Sequence, residues 1–135
     1  ASVIANLAPG RSGGLMRAVG YRMRSRTLKK FTEERGPKGR WAPLKPATID
    51  RRRTRRDRPS KSTKILQDTG GMKRTIHAVA DDDSVDIGTP DHRSPFHQFG
   101  APRAGIPARP FLYIDNDDAA DLEGLALNYL SRSLQ

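Results

Sequence analysis

Apolar residues recur along this chain in two helical rhythms and one alternating rhythm. Leu15, Met16, Val19, Met23 and Thr27 fall on one face at three- and four-residue spacing, with Phe31 at its margin. This predicts a long helix, with Ser12 placed to cap it. Arg17, Arg22, Arg24 and Lys29 lie off the stripe, whereas Arg26 and Lys30 intrude on it. The second half must therefore snorkel those charges or sit at the edge of the core. A clearer stripe follows near the end: Leu122, Leu125, Ala126, Tyr129 and Leu130. Asp115 and Asn116 stand at its cap, Asp117, Asp118 and Asp121 at its positive end, and Arg132 near its negative end. That distribution suits the helix dipole and predicts a C-terminal helix burying Leu122, Leu125 and Tyr129. The alternating rhythm covers 72–80, with Ile76, Ala78 and Ala80 on one face and His77 and Val79 on the other. Asp81-Asp82-Asp83 then turns the chain, and Ser84-Val85-Asp86-Ile87-Gly88-Thr89 returns it as a second strand of a hairpin.

Between these elements the punctuation is dense. Gly36-Pro37-Lys38-Gly39 ends the first helix in a turn, and Arg40-Trp41-Ala42-Pro43-Leu44-Lys45-Pro46 runs extended around the only tryptophan. Positions 47–53 predict a short helix capped near Thr48. Ile65-Leu66-Gln67 resumes apolar content before a turn at Asp68-Thr69-Gly70-Gly71. Phe96-His97-Gln98-Phe99-Gly100 reads as a helical turn ended by glycine. The first ten residues form an arm with no assigned structure. Together these predict one α+β domain over 1–135, its long N-terminal and C-terminal helices packed on a small, mostly antiparallel sheet.

One stretch stands apart: Gly105-Ile106-Pro107-Ala108-Arg109-Pro110-Phe111-Leu112-Tyr113-Ile114. Two prolines three apart fix φ and keep Ile106 and Arg109 out of the helical region, so the segment runs extended. Arg109 precedes the most hydrophobic tetrapeptide in the chain. An unpaired charge there would be costly, so Arg109 is expected to be held by a carboxylate or by backbone carbonyls, with Phe111 buried. The segment reads as a rigid docking and core-closing element, not a catalytic centre.

Charge sharpens the picture. Net charge is +10, yet residues 1–64 hold 19 Lys/Arg against 4 Asp/Glu, while residues 65–135 hold 6 against 11. Such a polarised molecule favours an anionic partner at one end, or head-to-tail contact between copies of itself. Seven of the cations lie within 51–61: Arg51, Arg52, Arg53, Arg55, Arg56, Arg58 and Lys61. With Pro59 and the serines this predicts a flexible basic loop at about 51–63. Non-specific phosphate contacts, a solubilising surface and ion pairs to an acidic neighbouring subunit are all open to it. No recognition helix or stacking aromatic accompanies it.

Other chemistry is excluded. Without cysteine there is no disulfide framework, thiolate ligand or thiol nucleophile. His77, His92 and His97 lack the spacing of a zinc helix, and the triple aspartate lacks the pattern of a calcium loop, so no metal or cofactor is expected. Gly13-Gly14 and Gly70-Gly71 are not phosphate loops, and no Gly-x-Ser-x-Gly is present. No enzyme is indicated. No run reaches the length of a membrane span, which points to a soluble protein acting in the cytoplasm.

Several elements also occur in a familiar order: Arg40-Trp41-Ala42-Pro43-Leu44 with Thr48; Ile65-Leu66, Thr69-Gly70, Met72 and Ile76; Val85-Asp86-Ile87-Gly88-Thr89; His97-Gln98-Phe99-Gly100; and Ile106-Pro107-Ala108-Arg109-Pro110-Phe111-Leu112. Over roughly 15–130 the chain resembles the phage virion morphogenesis family, the tail-completion proteins of tailed bacteriophages. Met72 stands where leucine is usual, and Pro95-Phe96 where a Tyr-Ala pair often precedes the histidine. The resemblance implies a non-catalytic virion subunit at the head–tail junction or head-proximal tail end, assembled in the host cytoplasm. It implies a ring of identical copies, a hexamer, meeting tail tube, terminator and head-connector proteins, with packaged DNA in reach of the basic loop. Trp41, Leu44, His97, Gln98, Phe99, Ile106, Arg109 and Phe111 are the assembly residues so expected, and Arg51, Arg52, Arg53, Arg55, Arg56 and Arg58 the nucleic-acid contacts.

Overall fold

The structure, a computed structural model, describes residues 2–6, 13–67 and 70–133. A long helix, α1 (Gly13–Glu33), is followed by a two-residue ribbon of β2 (Arg35–Gly36) and β3 (Gly39–Arg40), which makes the turn predicted there. Next come α2 (Pro46–Thr54), α3 (Gly71–Arg74), and the hairpin of β4 (His77–Ala80) and β5 (Ser84–Gly88). The chain ends with α4 (Ser94–Phe99), a 3-10 turn at Pro102–Ala104 and α5 (Asn116–Ser133). The N-terminal strand β1 (Ser2–Asn6) pairs antiparallel with β5, giving the order β1-β5-β4, with Ser2 opposite Gly88 and Asn6 opposite Ser84. The fold is the expected α+β one. The expected cap at Ser12 lies outside the described residues.

The predicted stripe of α1 is the stripe that is buried: Leu15, Met16, Val19, Met23, Thr27 and Phe31 are all interior. α1 packs on β4 and β5 and, along another face, on α5. Gly20 permits that approach, since a Cβ there would lie 3.2 Å from Val85 Cγ1 and 3.3 Å from the Cβ of Ala78. Ile76, Val85 and Ile87 face the core and His77 and Val79 face out, as the alternation requires. Among the described residues, fourteen buried apolar ones, from Leu15 to Leu112, form one continuous cluster. Phe31 is its hub, with Trp41 edge-on at 5.6 Å between ring centroids and Phe111 tilted at 5.4 Å.

Three local expectations are corrected. Residues 72–80 are not one strand: the chain makes the turn of α3 before β4 begins. Met72 and Ile76 are both interior, and their four-residue spacing fits a helical turn as well as an alternation. Gly70, left-handed at φ 77°, opens that turn, and the Thr75 hydroxyl donates to the Met72 carbonyl at its end. The second helix starts at Pro46 rather than near Thr48, because proline at the first helical position has no N–H to leave unsatisfied. Of the three α5 residues expected to be buried, Leu122 and Leu125 are partly buried against the core and Tyr129 is 37% exposed. α5 runs antiparallel to α1 and reaches the start of that helix here, so the Tyr129 hydroxyl lies over Gly14 at the rim.

α5 itself begins in a reciprocal cap. Asp118 N–H donates to Asp115 Oδ1 at 2.7 Å, and Asp115 N–H donates to Asp118 Oδ2 at 3.0 Å. Asp118 also takes Lys30 at 2.7 Å and Arg26, the two cations that intrude on the apolar stripe of α1. Burial works against the Asp118 charge, but hydrogen bonds from Lys30 and Arg26 outweigh it and hold the carboxyl at about 2. Lys30 further donates to the Tyr113 carbonyl and lies 3.9 Å from the Tyr113 ring centroid. The pattern of α1 marks Lys30 as an intruder on the stripe, while its partner lies 88 residues away.

Candidate assembly site

The extended segment before α5 is anchored from both sides along its length. Arg109 N–H donates to the His97 carbonyl at 2.7 Å, tying the segment to α4. The Arg109 guanidinium turns inward and donates through Nε to the Ala42 carbonyl (2.8 Å) and through a terminal nitrogen to the Pro43 carbonyl (3.0 Å). Backbone carbonyls therefore hold Arg109, one of the two expected arrangements. Trp41 Nε1–H donates to the Pro110 carbonyl at 2.8 Å. Gln98 then serves three backbone groups: Oε1 accepts from the N–H of Phe111 and of Leu112, both at 3.0 Å, and Nε2 donates to the Leu112 carbonyl at 2.7 Å. Phe111 and Leu112 are fully interior, so these groups have no water to fall back on.

The same segment has an outward side. Ala101 and Ile106 form a bridge that closes the loop over the 3-10 turn, with Gly105 at φ 69° completing it. Gly100, at φ 77°, lets the loop pass the extended segment, since a Cβ there would sit 2.9 Å from the Ala108 nitrogen. Phe96 and Phe99, three residues apart on α4, are 51% and 74% exposed. Of the expected assembly residues, Trp41, Arg109 and Phe111 are thus interior and act by locking the segment. Leu44, His97 and Ile106 are half-buried at the margin, and Phe99 faces outward.

Beside that margin runs an open groove of about 630 Å³ between α2, α3, α4 and the 104–107 turn. Leu44, Leu66, Met72 and Ile106 supply apolar wall. Lys45, Arg51, Arg52, Arg55, Arg93 and Arg109 contribute to the same lining, and no acidic side chain does among the described residues. Burial, then Arg52, draws the Arg109 pKa below its usual range. Burial, then Arg109 and Arg93, likewise draws the His97 imidazole pKa below its ordinary value. His97 Nδ1 is buried with no hydrogen-bond partner among the described residues. Arg93 is braced by Asp91 at 2.7 Å, and its hydrogen bond is the main reason the Asp91 carboxyl falls to about 2.

The basic segment is divided by its geometry. Its first residues, 51–54, belong to α2 and not to a loop; Arg51, Arg52 and Arg53 complement the negative end of that helix. Arg52 is only 9% exposed and donates to the carbonyls of Ser62 and Lys64, while Ser60 N–H returns to the Arg52 carbonyl. Arg53 pairs with Asp50 at 2.9 Å, and Arg55 donates to the Arg58 carbonyl. Arg51, Arg56 and Arg58 are exposed. Lys45 and Arg93 join the groove from outside the basic run, and no local pattern marked them. Among the described residues no group of His, Asp or Glu could hold a metal ion, and no helix is long and apolar enough to cross a membrane.

The profile of the phage virion morphogenesis family matches residues 1–131. The chain belongs to that family. No curated protein and no solved structure matches it. Membership in that family gives the chain a setting, the building of a phage particle.

Proposed function

We propose that the chain is a structural, non-catalytic subunit of a tailed-phage virion that closes into a ring at the head–tail junction or the head-proximal end of the tail. The observation that carries this reading is the pairing of a rigid frame with an exposed apolar margin. Three side chains, Trp41, Gln98 and Arg109, fix the backbone of 109–112, and α4 holds Phe96 and Phe99 in solvent beside it. Rigidly presented exposed aromatics suit docking to another protein, with little ordering cost on association. Opposite charge in the two halves of the chain suits heterologous contacts that close a ring, for which six copies is the expected number. Tail tube, terminator and head-connector proteins are the neighbours on its two faces. The rival reading, a non-specific nucleic-acid module, draws on the basic segment, but Arg52 is taken into the interior and Arg53 is paired within its own helix.

Native mass and sedimentation of the isolated chain test the ring, and labelling the subunit in assembled particles tests its place. A ring forming without DNA, seen at the neck or upper tail, is expected. A monomer that shifts DNA at low salt, with no label at that position, would refute the reading.

A further inference from the structure

The basic groove and the acidic hairpin turn lie at opposite ends of the same sheet. β4 leaves the groove side directly after α3, and β5 returns there, where Thr89 and Thr75 share a hydrogen bond of 2.7 Å. The turn at Asp81, Asp82 and Asp83 is at the far end, about 13 Å along a four-residue strand at roughly 3.3 Å per residue. That turn is held firmly. Asp81 Oδ1 accepts the N–H of Asp83 (2.8 Å) and of Ser84 (2.7 Å), and the Ser84 hydroxyl bonds the same carboxylate. These bonds also lower the Asp81 pKa. All three aspartates are exposed, with Asp86 and the 61%-exposed Val79 behind them on the outer face.

We propose that the groove receives the hairpin turn of a second copy of this chain, so that the ring closes by seating each acidic turn in the next subunit's basic groove. This rests on the ring reading and names its contact. Charge complementarity selects the occupant: Lys45 and Arg51 stand exposed on the groove, Arg52 and Arg109 add positive charge from its inner wall while Arg93 is already paired with Asp91, and the turn offers exposed Asp82 and Asp83 on a stiff projecting loop. The apolar wall of Leu44 and Ile106 receives Val79, which a polyphosphate would leave uncovered. Because donor and acceptor surfaces occupy opposite ends of one sheet, the contact is head-to-tail and propagates from copy to copy, as a ring requires.

Reversing charges tests it. One full-length variant carries Lys45→Glu and Arg51→Glu, another carries Asp82→Lys and Asp83→Lys; all four positions are exposed, and thermal melts check that both variants fold. Each alone should raise the concentration needed for assembly by about a hundredfold or more, as facing like charges do. Mixing the two, or combining all four changes in one chain, should restore assembly, because every seated pair is again opposite in sign. A wild-type ring unaffected by either variant overturns this contact and leaves the ring. A wild type that is monomeric at every concentration overturns both. If the Lys45→Glu/Arg51→Glu variant assembles normally but no longer shifts a short DNA duplex at low salt, the groove is a phosphate site and the proposal is wrong.

Discussion

Gln98 offers the sharpest test of how the organising segment is held. Replacing it with methionine keeps the length and bulk of the side chain but removes both amide atoms. The N–H groups of Phe111 and Leu112 and the carbonyl of Leu112 then lose their partner together. Phe111 is 0% exposed and Leu112 3%, so water cannot replace the amide without opening the core. A buried backbone group left unsatisfied costs about 1–3 kcal/mol. Three such groups set a range of about 3–9 kcal/mol, and the half-buried position of Gln98 favours its lower end, about 3–5 kcal/mol. Against a total stability of about 5–15 kcal/mol for a domain, that is a large loss. Urea denaturation measures it, and amide hydrogen exchange localises it. Protection should fall selectively at Phe111 and Leu112, while Phe99→Ser, on the same helix but in solvent, should change stability by no more than about 0.5 kcal/mol. A loss below about 1 kcal/mol for Gln98→Met, with exchange at Phe111 and Leu112 unchanged, would refute the view that this amide anchors the segment.

Asp118→Asn should destabilise by about 3–5 kcal/mol in the same assay, because it strips the anion from the buried Lys30 and leaves that cation with a carbonyl and a ring face. The Asp118 carboxyl is lowered from 3.8 to about 2, so its stabilisation is complete above the unfolded value and is lost as pH falls through 2; unfolding free energy from urea denaturation should drop over that acid window, by on the order of 2 kcal/mol, and Asp118→Asn should flatten the drop. Arg109→Ala leaves the Ala42 and Pro43 carbonyls without their donor and should impair particle assembly, whereas Arg132→Ala, exposed near the end of α5, should not; equal and negligible effects from both would remove the special role of the segment.

Where a pattern is local and its physical cause is local, the sequence displayed it. The apolar stripe of α1 and the alternation of the hairpin each follow from one periodicity, and each is buried as that periodicity demands. The cap of α5 was visible for the same reason, since Asp115 and Asp118 are three residues apart. Arg109 was legible from adjacency alone: a charge before an apolar run has to be satisfied, although which carbonyls satisfy it depends on a segment 66 residues away. The β1–β5 pairing was hidden because a strand's partner is set by the whole sheet, and nothing in the first residues points to 84–88.

The basic run shows the limit most plainly. Arg51, Arg52 and Arg53 are chemically identical neighbours, and no sequence rule distinguishes them. Their fates are set by helical phase: α2 rotates Arg52 inward to the carbonyls of Ser62 and Lys64, Arg53 outward to Asp50, and Arg51 to the groove. One residue therefore stabilises its own subunit, one is spent on its own helix, and one is available to a partner. A charge tally of the run treats all three as surface and overstates what it offers to phosphate. The groove gathers Lys45 and Arg93 from either side of that run, so its field depends on tertiary placement as much as on the arginine count. That field, rather than the run itself, is what an acidic partner would meet.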